Sequence, residues 1–238
     1  MKSKLHEYSN IAKKILPKGL FSIIRRVLTA FLTPIRFSIN TGHFGSALRA
    51  MAVDKEGKHI PWYTYPSYYF LKHKNFADKT VLEFGGGQSS IWWGAKAKQV
   101  ITLEGDKEWY QLIKTQMPNN VSLNYIDMTH REEFNDLVEK VISSQTFDVI
   151  VIDGLYREEA LDIAMQHISP SGVIIVDNSE AYGAYERMAK TDFTQRVDFY
   201  GHAPGVILPH STSVFWREGR CFLFENQPYP ILQNNELY

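Results

Sequence analysis

The chain contains one cysteine, Cys221, in 238 residues. A lone thiol cannot close an intramolecular disulfide, so the fold must rest on core packing, and the pattern fits a reducing cytoplasm. Within Cys221-Phe-Leu-Phe224 it reads as a packing residue. Net charge is also missing, because 26 Lys/Arg balance 26 Asp/Glu. No whole-molecule field therefore argues for nucleic acid, and no recognised nucleic-acid module is visible, so no such partner is expected. Long apolar runs are lacking too. The most apolar stretch, Gly19 to Thr33, carries Arg25 and Arg26 in its middle and is expected to end at Pro34. It is too short and too charged to cross a bilayer, and it does not read as a signal peptide. Internal repeats and low-complexity tracts are absent.

What remains is ordinary globular composition, 44% hydrophobic and 22% charged, with room for one α/β domain and an N-terminal extension. Charge is unevenly placed. Residues 1–40 hold eight Lys/Arg against the single acid Glu7, a net of +7 that leaves −7 for the rest. On a helix, Ser22, Arg25, Arg26, Thr29 and Thr33 form one narrow polar stripe, and the remaining positions form a broad apolar face. Two readings stay open for this segment. It packs on the main domain or on a second copy of the chain, or it lies in a membrane interface with its basic residues near anionic lipid. Residues 1–59 are thus expected to be a helical extension and connector, 60–226 the main domain, and 227–238 a polar, loosely held tail.

The most informative stretch is Val81-Leu-Glu-Phe-Gly-Gly-Gly-Gln-Ser-Ser-Ile91, a short buried strand turning through three glycines into a helix. Gly85 and Gly87 can take positive φ and let a ligand approach the backbone, while the N–H groups opening the helix favour a polar ligand group. The dinucleotide fingerprint wants a third small residue three places after its second glycine, and Ser90 stands there. Nor does a pyrophosphate call for Glu83, which would repel it; a ligand with a cationic amino group and sulfonium does. Two further strands, Gln99–Glu104 and Val121–Ile126, end at Glu104 and Asp127. Glu104 is spaced to accept ribose hydroxyls, and Asp127 to meet the exocyclic amine of an adenine. S-adenosylmethionine satisfies all three acids.

Strand and helix then alternate, with Phe147–Ile152 and Gly172–Val176 as continuous β-branched runs typical of central parallel strands. A helix over Arg157–Ile168 separates them. A short helix over Glu186–Lys190 precedes two strands, Gln195–Tyr200 and Thr212–Arg217. Residues 35–60 read as a connector, followed by an aromatic segment, Ile60–Phe70, entering a helix that runs to His73. Ligands of open α/β sheets bind outside the carboxyl ends of the strands, which gathers the glycine turn, Asp153 and Asp177-Asn178 around one cleft.

On these residues the chain resembles the class I S-adenosylmethionine-dependent methyltransferases over roughly residues 60 to 218. Their glycine motif matches Glu83-Phe-Gly85-Gly86-Gly87-Gln-Ser89, with Ser89 where many members have a third glycine. Trp62-Tyr-Thr-Tyr-Pro66, Glu83 to Trp93 and Ser211-Thr-Ser-Val-Phe-Trp216 look like a bacterial group often associated with surface polysaccharide genes. The resemblance implies a Rossmann-like, doubly wound seven-stranded sheet, mostly parallel, with a C-terminal antiparallel hairpin. It implies a cofactor site at Glu83, Gly85, Gly86, Gly87, Ser89, Glu104, Asp127 and Asp153. Asp153 with Asp177-Asn178 is similar to catechol- and caffeoyl-type O-methyltransferases, in which matching residues hold a divalent cation, so Mg²⁺ on Asp153, Asp177 and Asn178 is one expectation. Helix capping and a side-chain turn are the bland alternatives for the same residues. The lysine that such relatives often use as a base is missing, with Tyr156 and Arg157 in that neighbourhood.

A sugar hydroxyl needs a base or a metal to give up its proton at neutral pH. Candidate bases are His202, His210, His130 and Asp153. Trp62, Tyr63 and Tyr65 are placed to line an acceptor pocket or to pack in the core, and Trp92 and Trp93 to pack helix on sheet. The expected activity is methyl transfer to oxygen of a saccharide or related small molecule, by a cytoplasmic protein with peripheral membrane contact or a homodimer as open possibilities. The contrasting expectation is a catalytically silent nucleotide-binding scaffold of a membrane-associated glycan assembly, which would have no need of Glu83, Gly85, Gly87 and Glu104 together.

Overall fold

The computed structural model describes residues 4–154, 156–181, 183–219, 221–225 and 227. Apart from Gln227, the expected C-terminal tail lies outside them. Three N-terminal helices, α1 (Lys4–Ile15), α2 (Lys18–Asn40) and α3 (His43–Arg49), lead to α4 (Tyr65–Lys72). Alternation follows: β1 (Thr80–Phe84), α5 (Gln88–Gly94), β2 (Gln99–Glu104), α6 (Lys107–Ile113), β3 (Val121–Tyr125), α7 (Phe134–Ile142), β4 (Phe147–Ile152), α8 (Arg157–His167) and β5 (Ile168–Asp177). Helix α9 (Ala184–Met188) precedes β6 (Gln195–Gly201) and β7 (His210–Trp216).

The seven strands form one sheet in the order β3-β2-β1-β4-β5-β7-β6. The first five are parallel, and β7 inserts antiparallel between β5 and the edge strand β6. The expected Rossmann-like sheet with a C-terminal antiparallel hairpin is therefore what the chain builds. Alternation along the strands divides the core into two layers. Leu82, Phe84, Ile150, Ile152 and Ile174 face one layer, which also holds buried residues of α7 and α8. Val81, Val149, Val151 and Ile175 face the other, where Trp93 packs edge-on to Phe76 at 5.0 Å. Trp92, Trp93 and Cys221 are core residues as expected, and burial raises the Cys221 pKa. After β3 the chain returns across the sheet to place β4 beside β1, so a crevice opens at the carboxyl ends of β1 and β4.

Several boundaries differ from expectation. Pro34 does not end α2, which continues to Asn40. Proline costs one backbone hydrogen bond in a helix interior, and the helix-compatible residues on both sides carry the turn across it. Residues 43–49, read as part of a connector, form α3 between two left-handed caps, Gly42 and Ala50. Strand β5 starts at Ile168 rather than Gly172, because Ile168 pairs with Phe147 across an irregularity in register. Helix α9 and strand β7 each begin two residues earlier than read.

Candidate active site

The crevice holds a cavity of about 1040 Å³ bounded by the glycine turn, the ends of β2, β4 and β5, and the loop before β7. Gly85 has φ 90°, and a Cβ there would sit 2.5 Å from the Asp153 carbonyl oxygen. Only glycine fits that crossing of β1 and β4. A Cβ on Gly86 would meet Thr102 Cγ2 at 2.8 Å, so the turn also lies tight against β2.

Two acids hold this turn from opposite sides. Glu104 accepts from the Gly86 N–H at 2.8 Å through one oxygen and from the Asp106 N–H at 2.7 Å through the other. It stands on the cavity wall, where the ribose contact was expected. Glu83 points the other way. It alternates with Leu82 and Phe84 and so projects into the Trp93 layer, fully buried. Its Oε2 accepts from the hydroxyls of Ser90 and Thr102 at 2.5 and 3.0 Å, and Oε1 has no hydrogen-bond partner. Burial pushes its pKa up to about 7, against the lowering effect of the Ser90 and Thr102 hydroxyls. Glu83 thus supports the turn from behind rather than lining the cavity. Ser89 lies on the wall with the three glycines.

The third acid lies off this wall. Asp127 is exposed and accepts from the backbone N–H and hydroxyl of Thr129, a local turn that carries it off the cavity wall. Its neighbours Ile126 and Met128 line the cavity instead. Trp109, which sequence reasoning missed, donates Nε1–H to the Gly86 carbonyl at 2.8 Å and forms the wall beside Gly87. Asp106 is legible as the N-cap of α6, but nothing in the sequence shows that Trp109 folds back on the turn.

Across the crevice, β5 and β7 bring Asp177 opposite Thr212. The Thr212 hydroxyl donates to Asp177 Oδ1 at 2.6 Å, and His210 Nε2 lies 3.3 Å from Oδ2. His210 lines the cavity, and the Asp177 carboxylate holds its pKa above 6.5 against desolvation. At 3.3 Å the two groups are close enough to pair as charges, although the buried Nε2 does not meet hydrogen-bond geometry with any partner. His202 is exposed beyond the end of β6, its ring is 6.3 Å from that of His43, and it is not on the cavity wall. His130 is likewise exposed, beside Glu132.

The two carboxylates among the expected metal ligands are engaged with protein groups. Arg157 donates to Asp153 Oδ1 at 3.2 Å, to the Gly154 carbonyl at 3.0 Å and to the Asp177 carbonyl. Both Asp177 oxygens face Thr212 and His210, and Asn178 sits at φ 50° in a turn closed by the Ala181 N–H. Among the described residues no group of three His, Cys, Asp or Glu is placed to hold a metal. A dication here would have to displace a guanidinium, so Asp153, Asp177 and Asn178 do not fit Mg²⁺ as they stand. Desolvation and then the Asp177 carboxylate push the Asp153 pKa up, and Arg157 pulls it down.

Of the aromatics expected at an acceptor pocket, Trp62 lines the cavity and donates to the Pro204 carbonyl at 2.7 Å. Tyr63 is a core residue whose hydroxyl accepts from Trp93 Nε1 at 3.0 Å, and the Tyr65 ring is buried against Phe37.

No protein-family model matches the sequence, and no curated protein matches it. Solved structures do. A Klebsiella pneumoniae protein provisionally described as an O-methyltransferase aligns with a TM-score of 0.51 at 17% identity, covering 83% of this chain and 97% of its own. The O-methyltransferase TomG of Streptomyces achromogenes, involved in tomaymycin synthesis and solved with S-adenosylmethionine, aligns with a TM-score of 0.50 at 14% identity, covering 77% and 89%. At such identities the likeness carries the fold.

Proposed function

We propose that the chain is an S-adenosylmethionine-dependent methyltransferase acting on a hydroxyl of a saccharide or related small molecule. The observation that carries this reading is the facing pair of walls: a glycine turn pinned by Glu104 on one side, and His210 beside Asp177 on the other. The turn fits the cofactor, since Gly85 and Gly86 let its backbone form the cavity floor where any Cβ would strike Asp153 or Thr102, and Glu104 borders it with lone pairs left for ribose hydroxyls. When bound, the cofactor supplies an already activated methyl group.

The chain's own residues then have three tasks. The Gly86 turn, Glu104 and Trp109 bind and orient the donor. Trp62 at the mouth offers an aromatic face to a sugar ring. His210, on the cavity wall, takes the acceptor proton, and Asp177, held by Thr212, stabilises the imidazolium formed. Arg157 ties the ends of β4 and β5 and so keeps Asp177 in place. A silent scaffold would have no need of this turn, and gains nothing from a histidine–carboxylate pair facing it.

The test is calorimetry with S-adenosylhomocysteine, followed by transfer of labelled methyl from the cofactor to extracted cell glycans, read by mass spectrometry. Micromolar binding and a labelled glycan support the reading. Preferential binding of a nicotinamide dinucleotide would move the protein to another enzyme class.

A further inference from the structure

Helix α2 runs for 23 residues without burying one of them. All its polar residues except Ser38, namely Lys18, Ser22, Arg25, Arg26, Thr29, Thr33, Arg36 and Asn40, recur at helical spacing and fill an arc of roughly 100°. Leu20, Val27, Leu28, Phe31 and Ile35 lie outside that arc and are exposed, Phe31 to 69%. No helix among the described residues is long and apolar enough to cross a membrane. A broad apolar face bordered by basic residues is instead the build of a helix that lies in the plane of a bilayer.

Charge selects between the two ways of covering this face. Helix α2 carries four basic residues and no acid. Anionic headgroups answer every one of them. Pairing with a second copy would cover the apolar arc but bring bordering arginines together with no acid to offset them.

Exposed apolar residues also occur on the elements that connect α2 to the mouth of the cavity. Helix α3 follows α2 directly and exposes Phe44 and Leu48. The loop before β7 is seated on α3: the Gly205 N–H donates to His43 Nδ1 at 3.2 Å, and a Cβ on Gly205, at φ 71°, would lie 2.8 Å from the Ala47 nitrogen. Beyond this clasp the loop exposes Ile207 to 86% and Leu208 to 74%, and both also line the cavity. Two adjacent, large, exposed aliphatic residues at a pocket rim are suited to an apolar contact at that rim.

We propose that α2, the exposed side of α3 and the rim residues Ile207 and Leu208 form one face that lies on an anionic lipid bilayer, so that the cavity takes an acceptor held at that surface. The acceptor part rests on the methyltransferase reading; the bilayer contact does not.

Flotation of the full chain with phosphatidylcholine vesicles, with and without phosphatidylglycerol, tests the contact. Co-flotation is expected only with the anionic vesicles and is reversed by salt. Arg25→Ala and Arg26→Ala should each lower the partition constant about fivefold, and Leu28→Glu/Phe31→Glu should abolish flotation. Calorimetry with S-adenosylhomocysteine should be unchanged in that double variant, because α2 lies outside the cavity wall. This separate readout distinguishes loss of the membrane face from failure of the cofactor assignment. Absence of flotation, flotation indifferent to the double variant, or a dimer that the double variant splits without any vesicle binding would each overturn the proposal. For the rim, Ile207→Cys labelled with an environment-sensitive fluorophore should shift to the blue on vesicle addition, Cys221 being buried and taking no label. Vesicle-bound protein with an unshifted spectrum would put the cavity mouth away from the bilayer and defeat that part.

Discussion

The hydroxyl of Ser90 donates to Glu83 Oε2 at 2.5 Å while accepting from the Gly87 N–H at 3.1 Å. One side chain therefore links the buried carboxylate under the turn to the turn's last glycine. This is the position at which a dinucleotide fingerprint would carry a small residue for close helix–strand packing. Here the space is filled by a polar brace, and Glu83 gives that brace its acceptor.

The brace makes stability depend on pH. The folded Glu83 carboxyl holds its proton more tightly than the unfolded one, with a pKa near 7 against 4.5. Stability is therefore unaffected by this group below about pH 4.5, falls as pH rises through 7, and levels off above. The loss is on the order of 3 kcal/mol by pH 8. Glu83→Gln should flatten that decline in urea titrations run from pH 4.5 to 8. Ser90→Ala should steepen it, costing about 1–3 kcal/mol more at pH 8 than at pH 5. Parallel pH profiles for wild type and Glu83→Gln would show that the carboxyl is not the titrating group.

Glu104 acts on the cavity side of the turn, so its removal should weaken cofactor binding rather than the fold. Glu104→Ala frees the Gly86 and Asp106 N–H groups and removes the expected ribose acceptor. S-adenosylhomocysteine affinity should drop roughly 10- to 100-fold, from the loss of hydrogen bonds to a charged group. Gly85→Ala should do at least as much, because its Cβ meets the Asp153 carbonyl oxygen. Wild-type affinity in both variants by calorimetry would remove the cofactor from this crevice.

Strands β2 and β4 were legible to the residue because β-branched runs between turn signals leave little choice of boundary. The glycine turn was legible because its residue types are needed for its backbone. The candidate base was not separable from its neighbour by sequence. Gly201 pairs with His210 across β6 and β7, so His202 falls one residue past the ladder, toward His43. His210 instead opens β7 two residues before Thr212, on the face where Asp177 is waiting. That assignment depends on the register of a late hairpin. Asp127 shows the converse: its place at the end of β3 was right, but its carboxylate turned to Thr129, a local choice that strand pattern does not encode.

The His210–Asp177 pair predicts the pH profile of the reaction. A base works unprotonated, and Asp177 holds the His210 pKa above 6.5, so kcat/KM should rise through a limb centred above that value. Asp177→Asn should move the limb down toward the ordinary histidine range and slow turnover. His210→Gln should remove the limb and lower kcat by about 10²–10⁴ with cofactor affinity kept. A profile unchanged by His210→Gln would leave Asp153 as the base.

Arg157 makes the metal question decidable. Its guanidinium spans Asp153, the Gly154 carbonyl and the Asp177 carbonyl, so it holds by charge and hydrogen bonding the strand ends that a dication would otherwise hold. Turnover should therefore survive EDTA and gain nothing from added Mg²⁺ or Mn²⁺. Arg157→Ala leaves the Asp153 carboxylate, already disfavoured by the nearby Asp177 carboxylate, without its counter-charge. It should cost about 3–5 kcal/mol of stability, as when one partner of a buried ion pair is removed. The cost should shrink at low pH as one carboxyl takes up a proton, and calorimetric unfolding at pH 5 and pH 8 would read that difference. Rescue of Arg157→Ala turnover by Mg²⁺ would show that the site accepts a cation once the guanidinium is gone. Loss of wild-type activity in EDTA, restored by Mg²⁺, would instead mean that Arg157 moves aside in the working enzyme.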